Sequence, residues 1–311
     1  KLLQSIVFQT GQREFGSTAE QTWALSSVLW GVAFMPVVIS TCRTLFGQGR
    51  PAVFAVALIA TQATSAFYFG YIEDYVAPSV LVLLYVRAAV RAMRGDGSVV
   101  LPGLWLGTTM LFSMAWAFVL PSLGWMAIEV SRGRRHARFL WAALPLPALL
   151  LAVMAGLQLV LDVDVIGLYR RSHVADLPAY SAVAHYASVG EHAAALLQLH
   201  LLVAPYSLLL VGLLLMSVSL RAAFREPIGR FLAVLAGCGL LMGMIWFPSL
   251  GMDRDWDLFA LFGTPLSLFA AFLLARYPAE AELRPPLSRA LLLTGIHTLF
   301  WIVTGHLAHP H

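Results

Sequence analysis

Three clusters of ionisable residues have the types and spacing to do chemistry. The first lies in Phe69-Gly70-Tyr71-Ile72-Glu73-Asp74-Tyr75, where two adjacent carboxylates are flanked by aromatic rings. Carboxylate oxygens are hard ligands that suit Mg²⁺ or Mn²⁺, above all when a phosphate completes the shell. They can also accept a proton from a substrate hydroxyl. The plainer role is a solvated helix start, because acids favour the free N–H groups of a helix N-terminus. The second cluster is Asp253-Arg254-Asp255-Trp256-Asp257, just after Pro248 and Gly251. One of these acids could cap the following helix. Three acids and an arginine within five positions exceed what a cap requires. The guanidinium fork of Arg254 is shaped for a phosphate, with Asp253 and Asp257 as its possible ion-pair partners. The third cluster pairs Arg170 and Arg171 with His173, a cationic group suited to anionic lipid or to a lipid-linked phosphate.

The elements that must position these clusters follow from composition. The chain has 311 residues, of which 59% are hydrophobic and 12% charged, with a mean hydropathy of +0.79. A soluble domain carries about 25% charged residues. The shortfall excludes an ordinary cytosolic enzyme, a disordered chain and a small secreted domain, and leaves an all-α polytopic membrane bundle. Apolar runs at 22–42, 52–70, 75–92, 139–160, 193–219, 230–248, 257–275 and 287–305 each read as one span. The stretch 99–131 is too long for one span and short for two, with Pro121 and Gly124 as its interruptions. About eight to ten spans are expected. Residues 1–21 read as an outer segment, 22–305 as the bundle with a long outer loop at 161–192, and 306–311 as an exposed tail.

Orientation comes from the loops. Fifteen of the 20 basic residues fall on one side of this layout, and 11 of the 16 acids fall on the other. Arginine-rich loops mark the cytoplasmic side. All three clusters then face outward at span mouths. The formal net charge of +4 reflects topology and carries no nucleic-acid signal. Cys42 and Cys238 stand apart from any metal-type spacing. Gln62 and Gln198 are expected to join helices by hydrogen bonds. His200 and His297, the clearest polar groups within spans, are expected to be hydrogen-bonded inside the bundle.

The two segments Leu250-Gly251-Met252-Asp253-Arg254-Asp255-Trp256-Asp257-Leu258-Phe259-Ala260 and Phe69-Gly70-Tyr71-Ile72-Glu73-Asp74-Tyr75 resemble bacterial polytopic glycosyltransferases of the GT-C class and their uncharacterised relatives, in order and in spacing. Glu191-His192 through Leu202-Val203-Ala204-Pro205 fits the same pattern. These phrases cover about a tenth of the chain. The resemblance implies a GT-C-like fold and transfer of a sugar from a polyprenyl-phosphate carrier on the outer face of the bacterial inner membrane. It implies Glu73, Asp74 and Asp255 as catalytic acids, Glu73 and Asp74 as holders of a divalent cation, and Arg254, Arg170, Arg171, His173, Asp253 and Asp257 as phosphate- and substrate-binding residues. The implied partners are a lipid-linked sugar donor, membrane lipid and further membrane subunits.

Family members carry their catalytic base in an acidic motif of the first outer loop. Glu14 and Glu20 are acidic but lie outside that motif, so residues 1–21 read as the tail of such a loop and the base stays unassigned. Two other readings compete. A non-catalytic scaffold subunit of a larger membrane complex accounts for the incomplete loop. A transporter would show mid-membrane charges and broken helices in repeat-related positions; the charges here sit at span mouths.

Overall fold

A computed structural model describes residues 11–14, 16–68, 75–132, 137–161, 189–216, 224–245, 260, 262–276, 288–289, 291–300 and 303. The described residues are helical, with no strand among them.

The chain enters the bundle through α1, Ala19–Phe46. Thr18 and Gln21 close its start reciprocally: the Thr18 hydroxyl accepts from the Gln21 N–H at 3.2 Å, and the Gln21 side chain accepts from the Thr18 N–H at 3.1 Å. After a short turn through Gly49 comes α2, Arg50–Ala60, followed by a 3-10 turn at Ala63–Tyr68. Helix α3, Val76–Arg94, ends on Gly95 with φ +85°. The Gly95 and Asp96 N–H groups fold back onto the Arg91 carbonyl, a left-handed stop that glycine adopts without strain. Arg91 and Arg94 lie in its last turn, where the helix dipole favours cations.

The stretch 99–131 resolves into two helices, α4 at Leu101–Phe112 and α5 at Leu120–Ser131, joined by a 3-10 turn at Met114–Val119. The break falls at Ser113 rather than at Pro121 or Gly124. Pro121 sits in the first turn of α5, where its missing N–H has no intrahelical partner to lose. Then follow α6 at Ala137–Ala143, α7 at Pro145–Leu161, α8 at Val189–Val203, α9 at Pro205–Leu215, α10 at Pro227–Ile245, α11 at Gly263–Leu274 and α12 at Leu291–Phe300.

Glu20–Phe46, Val76–Arg94, Met114–Ser131 and Pro227–Ile245 are long and apolar enough to cross a bilayer. The α8–α9 pair makes a fifth crossing if its two arms, bent by 119°, count as one. The protein is therefore a multi-pass helical membrane protein with four or five such crossings among its described residues, against eight to ten expected of the whole chain. The difference has particular causes. The run 52–70 becomes an 11-residue helix and a 3-10 turn. The run 193–219 breaks at Ala204, ahead of Pro205, because proline disfavours helix for the residue before it. The described parts of 257–275 and 287–305 form the shorter helices α11 and α12.

Helices α3 and α11 occupy the centre. All 12 residues of α11 are buried, as are most of those of α3. Helices α1 and α4 flank α3, and α7 packs outside α4; α2, α9 and α10 surround α11. The interior is sealed by small residues that let helices approach. Gly239 and Gly243, four positions apart on α10, face Phe262 and the Leu196 side chain of α8. The outward side of α1 carries Leu25, Leu29 and Val32, each at least 61% exposed, which suits lipid rather than water.

Candidate functional site

The helix ends sort onto two faces. On one, Arg94 at the end of α3 donates to the Thr44 carbonyl and, at 3.1 Å, to the Leu45 carbonyl at the end of α1. Arg230 in α10 reaches Glu129 at the end of α5 at 3.5 Å, and Arg132 reaches the same carboxylate at 3.0 Å. The Arg230 guanidinium also lies over the Trp125 ring, 5.2 Å from its centre. Arg276, after α11, grips Glu226, just ahead of α10, with Nε to Oε1 at 2.8 Å and Nη2 to Oε2 at 2.6 Å. Those hydrogen bonds hold the Glu226 carboxyl below its ordinary pKa; partial burial opposes them and the guanidinium charge reinforces them. This arginine-lined face matches the cation-rich side expected from the loops.

The opposite face is where the three sequence clusters attach. Glu73, Asp74, Arg170, Arg171, His173, Asp253, Arg254, Asp255 and Asp257 lie outside the described residues. The helix ends that bear them are described, and three hydrogen bonds join several of these ends. Tyr68 Oη and Ser79 Oγ share a hydrogen bond of 2.7 Å, tying the two ends of segment 69–74 together. The Tyr68 ring also stacks on Phe34 of α1, with centroids 4.3 Å apart. His192, at the start of α8 and just beyond segment 162–188, donates from Nε2 to the Met244 carbonyl at 2.8 Å. Met244 is at the end of α10, where segment 246–259 begins. On the far side of that segment, Gly263 accepts from the Gln62 side chain at 3.3 Å.

Gln62 is the hub of a buried polar seam. Its amide also donates to Ser267, its carbonyl oxygen accepts from Thr264 at 3.5 Å, and Ser267 is in turn bonded to Ser207 of α9. Val203 and Ala204, at the α8–α9 break, close over Gly263 so tightly that a Cβ there would meet Val203 at 3.0 Å. Two buried polar side chains on the neighbouring elements have no hydrogen-bond partner: the Thr64 hydroxyl and both ring nitrogens of His200. Seam and stems share this end of the bundle.

The expectation for Gln62 holds, since it joins α2 to α11. Gln198 is exposed and makes no such bond. His200 is buried but unbonded, and His297 is exposed. Cys42 and Cys238 are both free and buried. Among the described residues no three His, Cys, Asp or Glu side chains gather as for a metal ion, and the carboxylates assigned to a divalent cation, Glu73 and Asp74, lie outside them. Sequence reading missed the Gly239-x-x-x-Gly243 seam, for which the spacing of small residues was a signal. It also missed Glu129 as the anchor of two arginines; the Glu129-x-x-Arg132 spacing marks one of them, and nothing local marks Arg230.

Comparison of the chain with protein-family models, with curated proteins and with solved structures finds no match in any of the three.

Proposed function

We propose that this chain is a GT-C-like membrane glycosyltransferase that moves a sugar from a polyprenyl-phosphate carrier to an acceptor on the outer face of the bacterial inner membrane. The observation that carries the reading is the meeting of stems. His192 bonds Met244 and Gln62 bonds Gly263, so segments 162–188, 246–259 and 69–74 spring from neighbouring helix ends, all opposite the arginine-lined face. The two short segments, 69–74 and 246–259, and the long loop 162–188 thus start from stems close enough for their acids and cations to serve one substrate.

In this scheme the departing polyprenyl phosphate carries negative charge that must be stabilised as the sugar leaves. Arg254 takes that charge through its guanidinium fork, with Asp253 and Asp257 orienting it. Arg170, Arg171 and His173 bind the phosphate from the long loop. Asp255, with Glu73 and Asp74, supplies the carboxylates that orient the acceptor hydroxyl, while the base that takes its proton stays unassigned. A divalent cation, if held, sits on Glu73 and Asp74 and adds to the stabilisation of phosphate charge.

The test uses the full chain in proteoliposomes with a radiolabelled polyprenyl-phosphate hexose and Mn²⁺. Transfer of label to acceptor, lost in D255N and E73Q and weakened in donor affinity by R254Q, supports the reading. Donor binding with no transfer under any acceptor leaves a scaffold that retains a lipid site. No donor binding at all overturns the proposal.

A further inference from the structure

A second site lies at the other end of the molecule. Between α2, α11 and the start of α12 the arginine-lined face carries a groove of about 560 Å³. Its walls are apolar and include Phe54, Ala57, Ala271 and Leu274; Arg50 and Ser288 alone among its lining residues have polar side chains. Among the described residues the exposed Arg50 side chain makes no hydrogen bond or ion pair, as is true also of Arg43 and Arg289, whereas Arg94, Arg230 and Arg276 are all engaged. Arg50 also opens α2, whose N-cap Gly49 provides no side-chain acceptor and whose second residue, Pro51, has no N–H. Cation and uncapped helix start therefore present positive potential at one point, at the mouth of an apolar cleft.

We infer that this groove holds one anionic phospholipid, a hydrocarbon chain lying between α2 and α11 and the phosphate on Arg50. The occupant follows from charge complementarity. The apolar walls accept a chain without desolvation cost, and the unpaired guanidinium attracts an anionic headgroup more strongly than a zwitterionic one. A peptide or a transmembrane helix would use the walls but would satisfy Arg50 only by carrying an acid or a free carbonyl at that point. The site is independent of the transferase reading, whose stems belong to the opposite face.

The experiment is native mass spectrometry of the full chain released from vesicles of equal phosphatidylglycerol and phosphatidylcholine with matched chains. The wild type is expected to retain one phosphatidylglycerol in preference to phosphatidylcholine. R50Q reduces that preference about fivefold, the weight of one arginine near an anionic surface. R50K restores most of it. A57F keeps the charge but fills the cleft, and loses retention of both lipids. Arg50 is exposed and Ala57 lines open space, so folding is unaffected, and thermal unfolding checks this for each variant. Equal retention of the two lipids by the wild type overturns the inference, as does an R50Q variant that keeps the preference. Displacement of phosphatidylglycerol by a polyprenyl phosphate, or a groove occupied by a second copy in a dimer, overturns it as well.

Discussion

The side-chain amide of Gln62 donates to the backbone carbonyl of Gly263, 201 residues further along the chain, at 3.3 Å. The bond joins a helix end before the first acidic cluster to the helix start after the second. It is also buried, and Ser267 and Thr264 share the same side chain. A polar side chain inside a membrane bundle is stable only while its partners are in place.

Replacing Gln62 with Leu therefore strands the Gly263 carbonyl and the Thr264 hydroxyl. The expected loss is about 1–2 kcal/mol. Reversible unfolding in mixed micelles measures it. A Q62L variant as stable as the wild type would show that the seam does not hold α2 to α11.

Glycine substitutions should separate by what lies opposite. A Cβ on Gly239 would meet the Phe262 Cβ at 2.7 Å, a group that cannot swing away. G239A is expected to cost about 1–3 kcal/mol through overpacking. A Cβ on Gly124 meets nothing within 4 Å inside α5, so G124A should stabilise by about 0.5–1 kcal/mol. Thermal melts of both variants in one detergent decide the matter, and the same sign for the two would contradict the packing described.

Glu129 is 5% exposed and serves Arg132 and Arg230 together. E129A leaves Arg230 over Trp125 without its counter-ion. Breaking a fully buried pair costs about 3–5 kcal/mol. Here the arginines are 53% and 28% exposed, so about 1–3 kcal/mol is expected. E129A/R230A should recover part of the loss in a double-mutant cycle; strict additivity would mean that the two residues do not interact.

The Glu226–Arg276 pair predicts a pH dependence with a definite sign. The carboxyl pKa is lowered in the folded protein, chiefly by hydrogen bonds from Arg276. The folded state thus binds its proton less readily than the unfolded state. The pair's contribution is present above the ordinary carboxylate pKa and disappears as pH falls through the lowered one. Glu226 is 43% exposed, so the effect is small. Melting temperatures of wild type and E226Q should converge on acidification from neutral pH, and a gap that widened would reverse the assignment.

Hydropathy made the long helices legible, because α1, α3 and α10 are predominantly apolar over 19 residues or more. It could not see that α8 and α9 are separate arms. Mean hydropathy is blind to the loss of one N–H, although Pro205 stood in the sequence as the signal. The face on which a polar side chain falls was equally hidden. Gln62 turns inward to α11 while Gln198 is exposed, and both sit in apolar runs of similar character. Pairings such as Arg230 with Glu129 depend on which helices become neighbours, and no local spacing encodes that. The convergence of Met244 with His192 and of Gly263 with Gln62 has the same origin.

Helix α11 has every residue buried and only 12 of them, about 18 Å of helix against a hydrocarbon core near 30 Å. Such a segment touches neighbours on all sides and is too short to settle alone in lipid. During synthesis it emerges after α1 to α10, so the ribosome delivers the middle of the bundle after most of its wall. Gln62 finds its Gly263, Thr264 and Ser267 partners only once α11 has been made. The polar seam of the bundle is thus closed by one of the last helices to be made.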